Sequence, residues 1–131
     1  MVASLRVALI WPWLAGAGLT CASDMADAAD IHHGEGAFVR QCALCHTIDK
    51  GGPNRFGPNL FGIVDRRAGT IPGFHYSAAF KDTASWDWNV DALRGWISAP
   101  KQMVPQSPMS VFQGVSDRDR DDIIAYLATR K

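Results

Sequence analysis

The sequence comprises 131 residues, of which 47% are hydrophobic, and its formal net charge is zero. This length accommodates one small globular domain in addition to whatever the N-terminus provides. Arg6, Asp24 and Asp27 fall in the leader described below, and without them 12 basic and 11 acidic residues remain. So small a positive surplus excludes a global attraction to nucleic acid or to an anionic membrane.

The first 28 residues have the pattern of a secretory signal peptide. Arg6 supplies a positive charge, residues 7–19 form an apolar run, and Ala26-Asp27-Ala28 offers a small-x-small cleavage site. A membrane span needs about 20 apolar residues, so the shorter run favours a cleaved leader over an uncleaved anchor.

Cleavage at this site leaves residues 29–131 as the mature domain. Cys21 keeps lipidation open as an alternative, because lipoprotein signals place a cysteine directly after the apolar run. The residues before Cys21 fit that signal poorly, so we expect this cysteine to be removed with the leader. Attachment to a membrane is expected only if the leader is retained.

The segment from Asp30 to about Cys45 is predicted to be helical, because apolar residues recur in it at spacings of three and four. Gly34 and Gly36 are poor helix formers, each costing about 1 kcal/mol relative to Ala. We therefore expect at least one of them to permit the close approach of another helix.

The segment Cys42-Ala43-Leu44-Cys45-His46 has the spacing of a covalent haem attachment site. The two thiols can form thioethers with the two vinyl groups of one porphyrin, and the next residue places its imidazole under the iron. Covalent haem attachment in bacteria takes place outside the cytoplasm, which agrees with the predicted leader. The expected compartment is therefore the periplasm.

Two other kinds of site use the same pair of cysteines. A thioredoxin-like redox pair is expected near a βαβ pattern, and no such pattern is found. A zinc site needs two more ligands at matching spacing, and apart from Cys21 no further cysteine can supply them. Haem attachment is the interpretation we adopt.

The remaining elements are predicted from apolar periodicity, helix caps and Pro/Gly positions. They are a long loop from Thr47 to about Ile71, a short helix near Ser77 to Lys81, a helix capped by Asp87 and running to about Ser98, a loop over residues 101–115 after Pro100 ends that helix, and a final helix capped by Ser116 or Asp117 and running to the C-terminus.

Two further expectations concern side chains in these elements. A loop as long as residues 47–71 is acceptable if it wraps a cofactor, with Phe56, Leu60, Phe61 and Ile63 as candidates to cover a porphyrin face. The alternating acids and arginines of residues 117–122 suit a helix N-terminus and are expected to form a solvated face.

A haem iron held by His46 leaves a sixth coordination position to assign. The candidates in the mature chain are Met103, Met109, His32, His33 and His75. Met109 lies in a proline-rich loop, Met103 is as readily a packing residue, and the first two histidines are expected to be exposed. A thioether ligand raises the reduction potential and suits an electron carrier, whereas an open position suits peroxide or gas chemistry.

From Gly34 to Leu127 the sequence resembles a class I cytochrome c of the mitochondrial and bacterial c2 type. Gly34 and Phe38 match a glycine and an aromatic residue that pack against the last helix, where Tyr126 matches their partner. The resemblance implies that the Pro58 carbonyl accepts a hydrogen bond from the axial histidine, which orients the imidazole.

The same resemblance places further residues around the haem. The segment from Pro100 to Met109 is similar to the axial-methionine loop, with Met109 as the ligand, and Ser107 matches a threonine that helps to hold that loop. Arg66, Tyr76 and Trp88 match residues that hydrogen-bond a buried haem propionate, an ionised group that needs charge-assisted donors. Trp86 is a rival to Trp88 for this position.

The resemblance implies an all-α fold of three to five helices with long loops wrapped around one covalent haem c. The implied function is one-electron transfer without catalysis, by a monomer that exchanges electrons with a protein donor and acceptor such as a bc1-type complex, an oxidase, a reaction centre or a dehydrogenase. The alternatives are a haem subunit of a larger oxidoreductase and a peroxidase-like or gas-binding protein in which Met109 is displaced.

The sequence departs from the mitochondrial pattern in its surface charge. The dense ring of lysines typical of that protein is missing, and a sparser positive collar is the expectation. Its candidate members are Arg40, Lys50, Arg55, Lys81 and Lys101.

Overall fold

The computed structural model describes residues 28–131. Over this range the chain forms five α-helices and one 3₁₀ helix: α1 Ile31–Gln41, α2 Ala78–Thr83, α3 Val90–Ser98, α4 Pro100–Met103, the 3₁₀ helix Pro108–Val111 and α5 Asp117–Ala128. The described range contains no strand beyond an isolated bridge between Arg67 and Asp87, so the predicted all-α fold is confirmed.

The predicted leader, with its cleavage site and Cys21, lies outside the described residues except for Ala28. Within the described range, none of the helices combines the length and the apolarity that crossing a membrane requires.

Side-chain caps explain where most of the helices begin. The Asp30 carboxylate accepts the backbone N–H groups of the first turn of α1, and Ser77 and Ser116 cap α2 and α5 in the same way. The predicted cap of α3 was wrong. Asn89 caps this helix by accepting the Ala92 N–H at 2.9 Å, while the Asp87 carboxylate lies 3.6 Å from the Arg67 Nη1 and precedes the helix by three residues.

Helix α1 ends at Gln41, four residues earlier than predicted. The backbone N–H groups of Cys42 and Ala43 both donate to the Phe38 carbonyl, and the N–H groups of Cys45 and His46 both donate to the Cys42 carbonyl. These bonds turn the chain at the attachment segment, which therefore leaves the helix axis.

The chain after Pro100 is more regular than predicted. Pro100 begins α4 instead of only ending α3, because the first position of a helix needs no N–H donor. A second proline at position 108 likewise begins the 3₁₀ helix. The expected loop over residues 101–115 is thus replaced by two short helices and their connections.

The two long terminal helices, α1 and α5, pack directly on each other. A Cβ on Gly34 would overlap the backbone carbonyl of Asp122, and the rings of Phe38 and Tyr126 lie with centroids 5.7 Å apart. The expectation that a glycine of α1 permits a helix contact is therefore confirmed for Gly34.

Asp122 corrects the expectation of a fully solvated charged face on α5. Asp122 is only 4% exposed. Its carboxylate accepts the Asp30 N–H at 2.7 Å and the His33 Nδ1–H at 2.6 Å. His33 is consequently half-buried rather than exposed. Burial alone raises the pKa of Asp122, but the Asp30 N–H, His33 and Arg118 together hold the pKa below its ordinary value.

Candidate haem site

A cavity of about 890 Å³ lies between the helices and the long loop. Phe38 of α1, Leu93 and Trp96 of α3, and Ile123 and Leu127 of α5 contribute to its wall. Of residues 28–131, no aspartate, glutamate or lysine lines the cavity. A large concave site with apolar walls and few polar groups is typical of a cofactor pocket.

Both predicted attachment cysteines line this cavity, and no disulfide joins them. Burial, followed by the effect of neighbouring Cys45, raises the pKa of Cys42 to about 12. Among the described residues no three histidine, cysteine or carboxylate side chains gather to hold a metal ion. The two cysteines therefore share one cavity, as attachment to a single porphyrin requires.

His46 lines the same cavity in a defined orientation. Its Nδ1–H donates to the Pro58 carbonyl oxygen at 2.8 Å, and its ring lies so close to Gly57 that a Cβ there would overlap it. Burial lowers the pKa of His46, outweighing the bond to Pro58, which raises it. A neutral imidazole that donates through Nδ1 keeps its Nε2 lone pair for a metal.

The structure separates the two methionine candidates. Met109 lines the cavity, and the hydroxyl of buried Ser107 accepts its backbone N–H at 3.2 Å. Met103 lies outside the cavity lining, with its sulfur against Gly95 of α3. Of the three histidine candidates for the sixth position, His75 lines the cavity, whereas His32 and His33 do not.

The residues predicted to hold a propionate divide into two groups. Tyr76 and Trp88 line the cavity, whereas Arg66 and Trp86 do not. Arg66 is nonetheless close enough for its charge to lower the pKa of Tyr76, although burial raises that pKa overall. The Arg66 guanidinium donates through Nε to the Gly62 carbonyl at 3.2 Å. Trp88 is therefore better placed than its rival.

The expected porphyrin-covering residues of the loop are mostly found in the lining. Phe56, Leu60 and Ile63 line the cavity, and Phe61 does not. Phe80 contributes from α2, where it stands among the rings of Tyr76, Trp86, Trp88 and Trp96.

The sequence analysis assigned no role at the site to Trp96, which lines the cavity from α3. The indole Nε1–H of Trp96 donates to the Met109 sulfur at 2.9 Å. The available signal was the chemistry of the residue, since a buried indole N–H requires an acceptor.

Nearly the whole described range of the chain is similar to proteins of one family. The family model for cytochrome c matches residues 31–131. Cytochrome c of Sesamum indicum is 41% identical over 105 residues, covering 79% of this chain and 93% of the relative. A cytochrome c homolog of Bradyrhizobium diazoefficiens is 44% identical over 93 residues, covering 70% of this chain and 50% of the relative.

The structure of cytochrome cH from Methylobacterium extorquens is similar with a TM-score of 0.67 and 41% identity, covering 76% of this chain and 98% of that one. The predicted covalent haem c, electron transfer with protein redox partners and absence of enzymatic activity are confirmed by these relationships. The chain belongs to the cytochrome c family of haem electron carriers.

Proposed function

We propose that His46 and Met109 are the two axial ligands of the haem iron, and that the chain is a soluble shuttle for single electrons. The observation that carries this proposal is the placement of both side chains in the lining of one cavity, with Met103 outside it. The attachment cysteines line the same cavity, so one porphyrin attached to them would lie between both proposed ligands.

When bound, the haem supplies an iron that cycles between the ferrous and ferric states. The protein holds both ligands by contacts that are independent of the iron. The Pro58 carbonyl and Gly57 fix the imidazole, and Ser107 fixes the backbone of Met109. Preset ligands need little rearrangement between the two oxidation states, which favours rapid electron transfer.

Tyr76 and Trp88 act as hydrogen-bond donors to a haem propionate, supported by the charge of Arg66. Among residues 28–131, no carboxylate side chain lines the cavity, so an ionised propionate meets no like charge from this part of the chain. An anion in an apolar cavity requires such donors. The apolar wall also limits the access of water and of small ligands to the iron.

The visible spectrum of the oxidised and reduced protein tests this ligand set. We expect a low-spin spectrum with the weak red band of methionine-to-ferric-iron charge transfer, unchanged by carbon monoxide. Met109→Ala removes the band, and Met103→Ala serves as the matched control that retains it. A high-spin spectrum, or ready binding of carbon monoxide by the wild type, overturns the ligand assignment and favours peroxide or gas chemistry.

The site of action follows from the leader. Residues 1–28 direct export and are removed, so the carrier works in the periplasm as a monomer between a donor and an acceptor. The mass of the purified protein and its distribution between cell fractions test this part of the proposal. A mass that corresponds to a chain starting at Ala29 supports cleavage. A mass that includes the leader, or a lipid on Cys21, points to a membrane-anchored carrier.

Co-purification with other chains distinguishes the shuttle from a haem subunit of a larger oxidoreductase. The shuttle is expected to migrate alone in size-exclusion chromatography of a periplasmic extract. A stable complex with a dehydrogenase or oxidase contradicts it.

A further inference from the structure

The short helix α2 buries one side chain, that of Phe80. Among the residues of this helix, Ala78–Thr83, only Phe80 is buried. The Ser77 hydroxyl caps the helix by accepting the Phe80 N–H at 3.2 Å, and the Phe80 carbonyl accepts the Ala84 N–H at 2.8 Å. Bonds at both ends of α2 thus fix the backbone of Phe80, and the helix holds its ring in one place.

The Phe80 ring lies in the middle of a cluster of aromatic side chains. It stacks on Tyr76 with a centroid distance of 5.1 Å. It meets Trp96 edge to face at 5.5 Å, with an angle of 79° between the two planes. Trp88 lies 6.4 Å from Phe80 and 5.6 Å from Trp96. Phe80, Trp88 and Trp96 are therefore three mutually neighbouring rings, which we call the aromatic triangle.

Two rings of the aromatic triangle are set by elements other than α3. Helix α2 sets Phe80, and the backbone of Trp88 is bound to residues 65–66 by hydrogen bonds of 2.8 and 3.0 Å. The third ring, that of Trp96, donates its Nε1–H to the Met109 sulfur at 2.9 Å. An indole has a single N–H in the plane of its ring, so this bond forms only when the plane is correctly turned.

The edge-to-face contact with Phe80 supplies an orienting force on that plane. Aromatic pairs in this arrangement are stabilised beyond the area that they bury, and rotation of either ring loses that part of the energy. A cavity wall alone requires no ring at position 80, because an aliphatic side chain of similar volume packs nearly as well. The aromatic character of Phe80 therefore has its clearest use in the contact with Trp96.

We propose that Phe80 is a positioning residue for the Met109 ligand, because its ring holds the Trp96 indole where Nε1–H meets the sulfur. This inference rests on the proposed function, since it takes Met109 as the axial ligand. A hydrogen bond to the sulfur draws electron density away from the iron and favours the ferrous state. Phe80 thus raises the reduction potential through Trp96.

Phe80→Leu removes the ring and keeps an apolar side chain. In the ferrous, haem-loaded protein, we expect the Trp96 Nε1–H to exchange with solvent about threefold faster or more, because its hydrogen bond is weakened. At a fixed applied potential, the ratio of ferrous to ferric protein should fall by about threefold for the same reason. NMR of protein with isotopically labelled indole nitrogen measures the exchange, and spectroelectrochemical titration measures the ratio.

The Trp96→Phe background separates positioning from packing. Without the indole N–H there is no bond for Phe80 to orient, so adding Phe80→Leu to Trp96→Phe should leave the ratio of ferrous to ferric protein unchanged. Such a non-additive result is the signature of two residues that act through one contact. An equal fall in the wild-type and Trp96→Phe backgrounds shows that Phe80 acts only as part of the wall, and it overturns the proposal.

Phe38→Leu is the matched control. Phe38 is buried and lines the same cavity from α1, but its ring packs on Tyr126 of α5. Its effect on the ratio should be the same in both backgrounds, because residues without a shared contact behave additively. Coupling of Phe38 to Trp96 as strong as that of Phe80 overturns the proposal.

Phe80→Tyr tests the converse and applies even where Phe80→Leu does not fold. This variant keeps the ring, so the exchange rate of the Trp96 Nε1–H should stay within about twofold of the wild type, well inside the effect of a lost hydrogen bond. Exchange as fast as in a protein without the sulfur acceptor, Met109→Ala, overturns the proposal.

The charge-transfer band of the wild type distinguishes failure of this inference from failure of the proposed function. Absence of the band contradicts Met109 as the ligand. An intact band together with additive effects of Phe80→Leu and Trp96→Phe leaves the ligand assignment standing and overturns only the role of Phe80.

Discussion

The indole Nε1–H of Trp96 donates to the Met109 sulfur across 2.9 Å. The donor lies on α3 and the acceptor on the 3₁₀ helix, so this bond links a longer helix to a short one that begins at a proline. A hydrogen bond to the sulfur withdraws electron density from the atom proposed to bind the iron. This contact is therefore a means of tuning the reduction potential from outside the coordination shell.

Trp96→Phe is expected to lower the reduction potential. Without the donor, the sulfur gives more electron density to the iron and the ferric state gains stability. The expected change is on the order of tens of millivolts, corresponding to a hydrogen bond worth about 1 kcal/mol. Spectroelectrochemical titration of the two proteins measures it directly.

Trp86→Phe is the control for loss of an indole ring. Trp86 packs on Phe80 in the same aromatic cluster, but its buried Nε1 finds no hydrogen-bond partner among the described residues. We expect its potential to match the wild type. A potential that Trp96→Phe leaves unchanged, or shifts no more than Trp86→Phe does, is inconsistent with tuning through the Met109 sulfur.

Gly34→Ala is expected to destabilise the fold, because the added methyl group would overlap the backbone of Asp122 and force α1 and α5 apart. Overpacking of this kind costs roughly 1–3 kcal/mol of unfolding free energy. Denaturant unfolding of the haem-loaded protein, followed by far-UV circular dichroism, measures the loss.

Gly36→Ala in the same helix provides the contrast. A Cβ at this position lies 3.2 Å from the Arg40 Nη1, the end of a flexible side chain. The substitution is expected to be neutral or to stabilise by up to about 1 kcal/mol, since Ala favours a helix. Similar losses from both variants would mean that Gly34 does not act through the helix contact.

The predictable parts of this protein are those written in short stretches of sequence. The attachment segment is contiguous, so Cys42, Cys45 and His46 identify their chemistry without any knowledge of the fold. The helices follow from apolar spacing, and the cap of α5 is Ser116, one of the two residues predicted for that position. The packing of Gly34 on α5 followed from the resemblance, which relates residues far apart in the chain.

The errors arose where a tertiary contact decided between local alternatives. Asp87 and Asn89 are both residue types that cap helices, and only the fold shows that the Asp87 carboxylate pairs with Arg67 while Asn89 caps α3. Asp122 belongs to an alternating charged run and becomes buried because Asp30 and His33 meet it from α1. The bond from Trp96 to the Met109 sulfur likewise joins residues 13 positions apart on two different helices, so no local sequence pattern predicts it.

Asp122→Asn is expected to reduce stability in a pH-dependent way. His33, Arg118 and the Asp30 N–H favour the ionised carboxylate and hold its pKa below the ordinary value of 3.8, while Asp119 faces the other nitrogen of His33. A depressed pKa adds stability that is present above the ordinary value and is lost as the pH falls through the folded value. The variant should therefore lose about 1–3 kcal/mol near neutral pH.

Unfolding free energies measured between pH 7 and pH 3 test the direction of this pH dependence. These limits span roughly the range in which carboxylates titrate. The difference between wild type and Asp122→Asn should shrink towards the acid end. Asp91→Asn, at an exposed position on α3, should show a small difference without this trend. A difference for Asp122→Asn that is constant with pH contradicts the role of its charge.

Ser107→Ala is expected to weaken the hold on Met109 while leaving the haem attached. The Ser107 hydroxyl accepts the Met109 N–H and caps the 3₁₀ helix, and loss of such a cap costs about 1 kcal/mol. As the pH rises, deprotonated ligands compete with the thioether for the iron. The midpoint at which the charge-transfer band disappears should fall by about 0.7 pH units, the equivalent of that energy. Ser110→Ala is the matched control, because the Ser110 side chain makes no hydrogen bond within residues 28–131. A midpoint that moves equally in both variants would show that the cap does not hold the ligand.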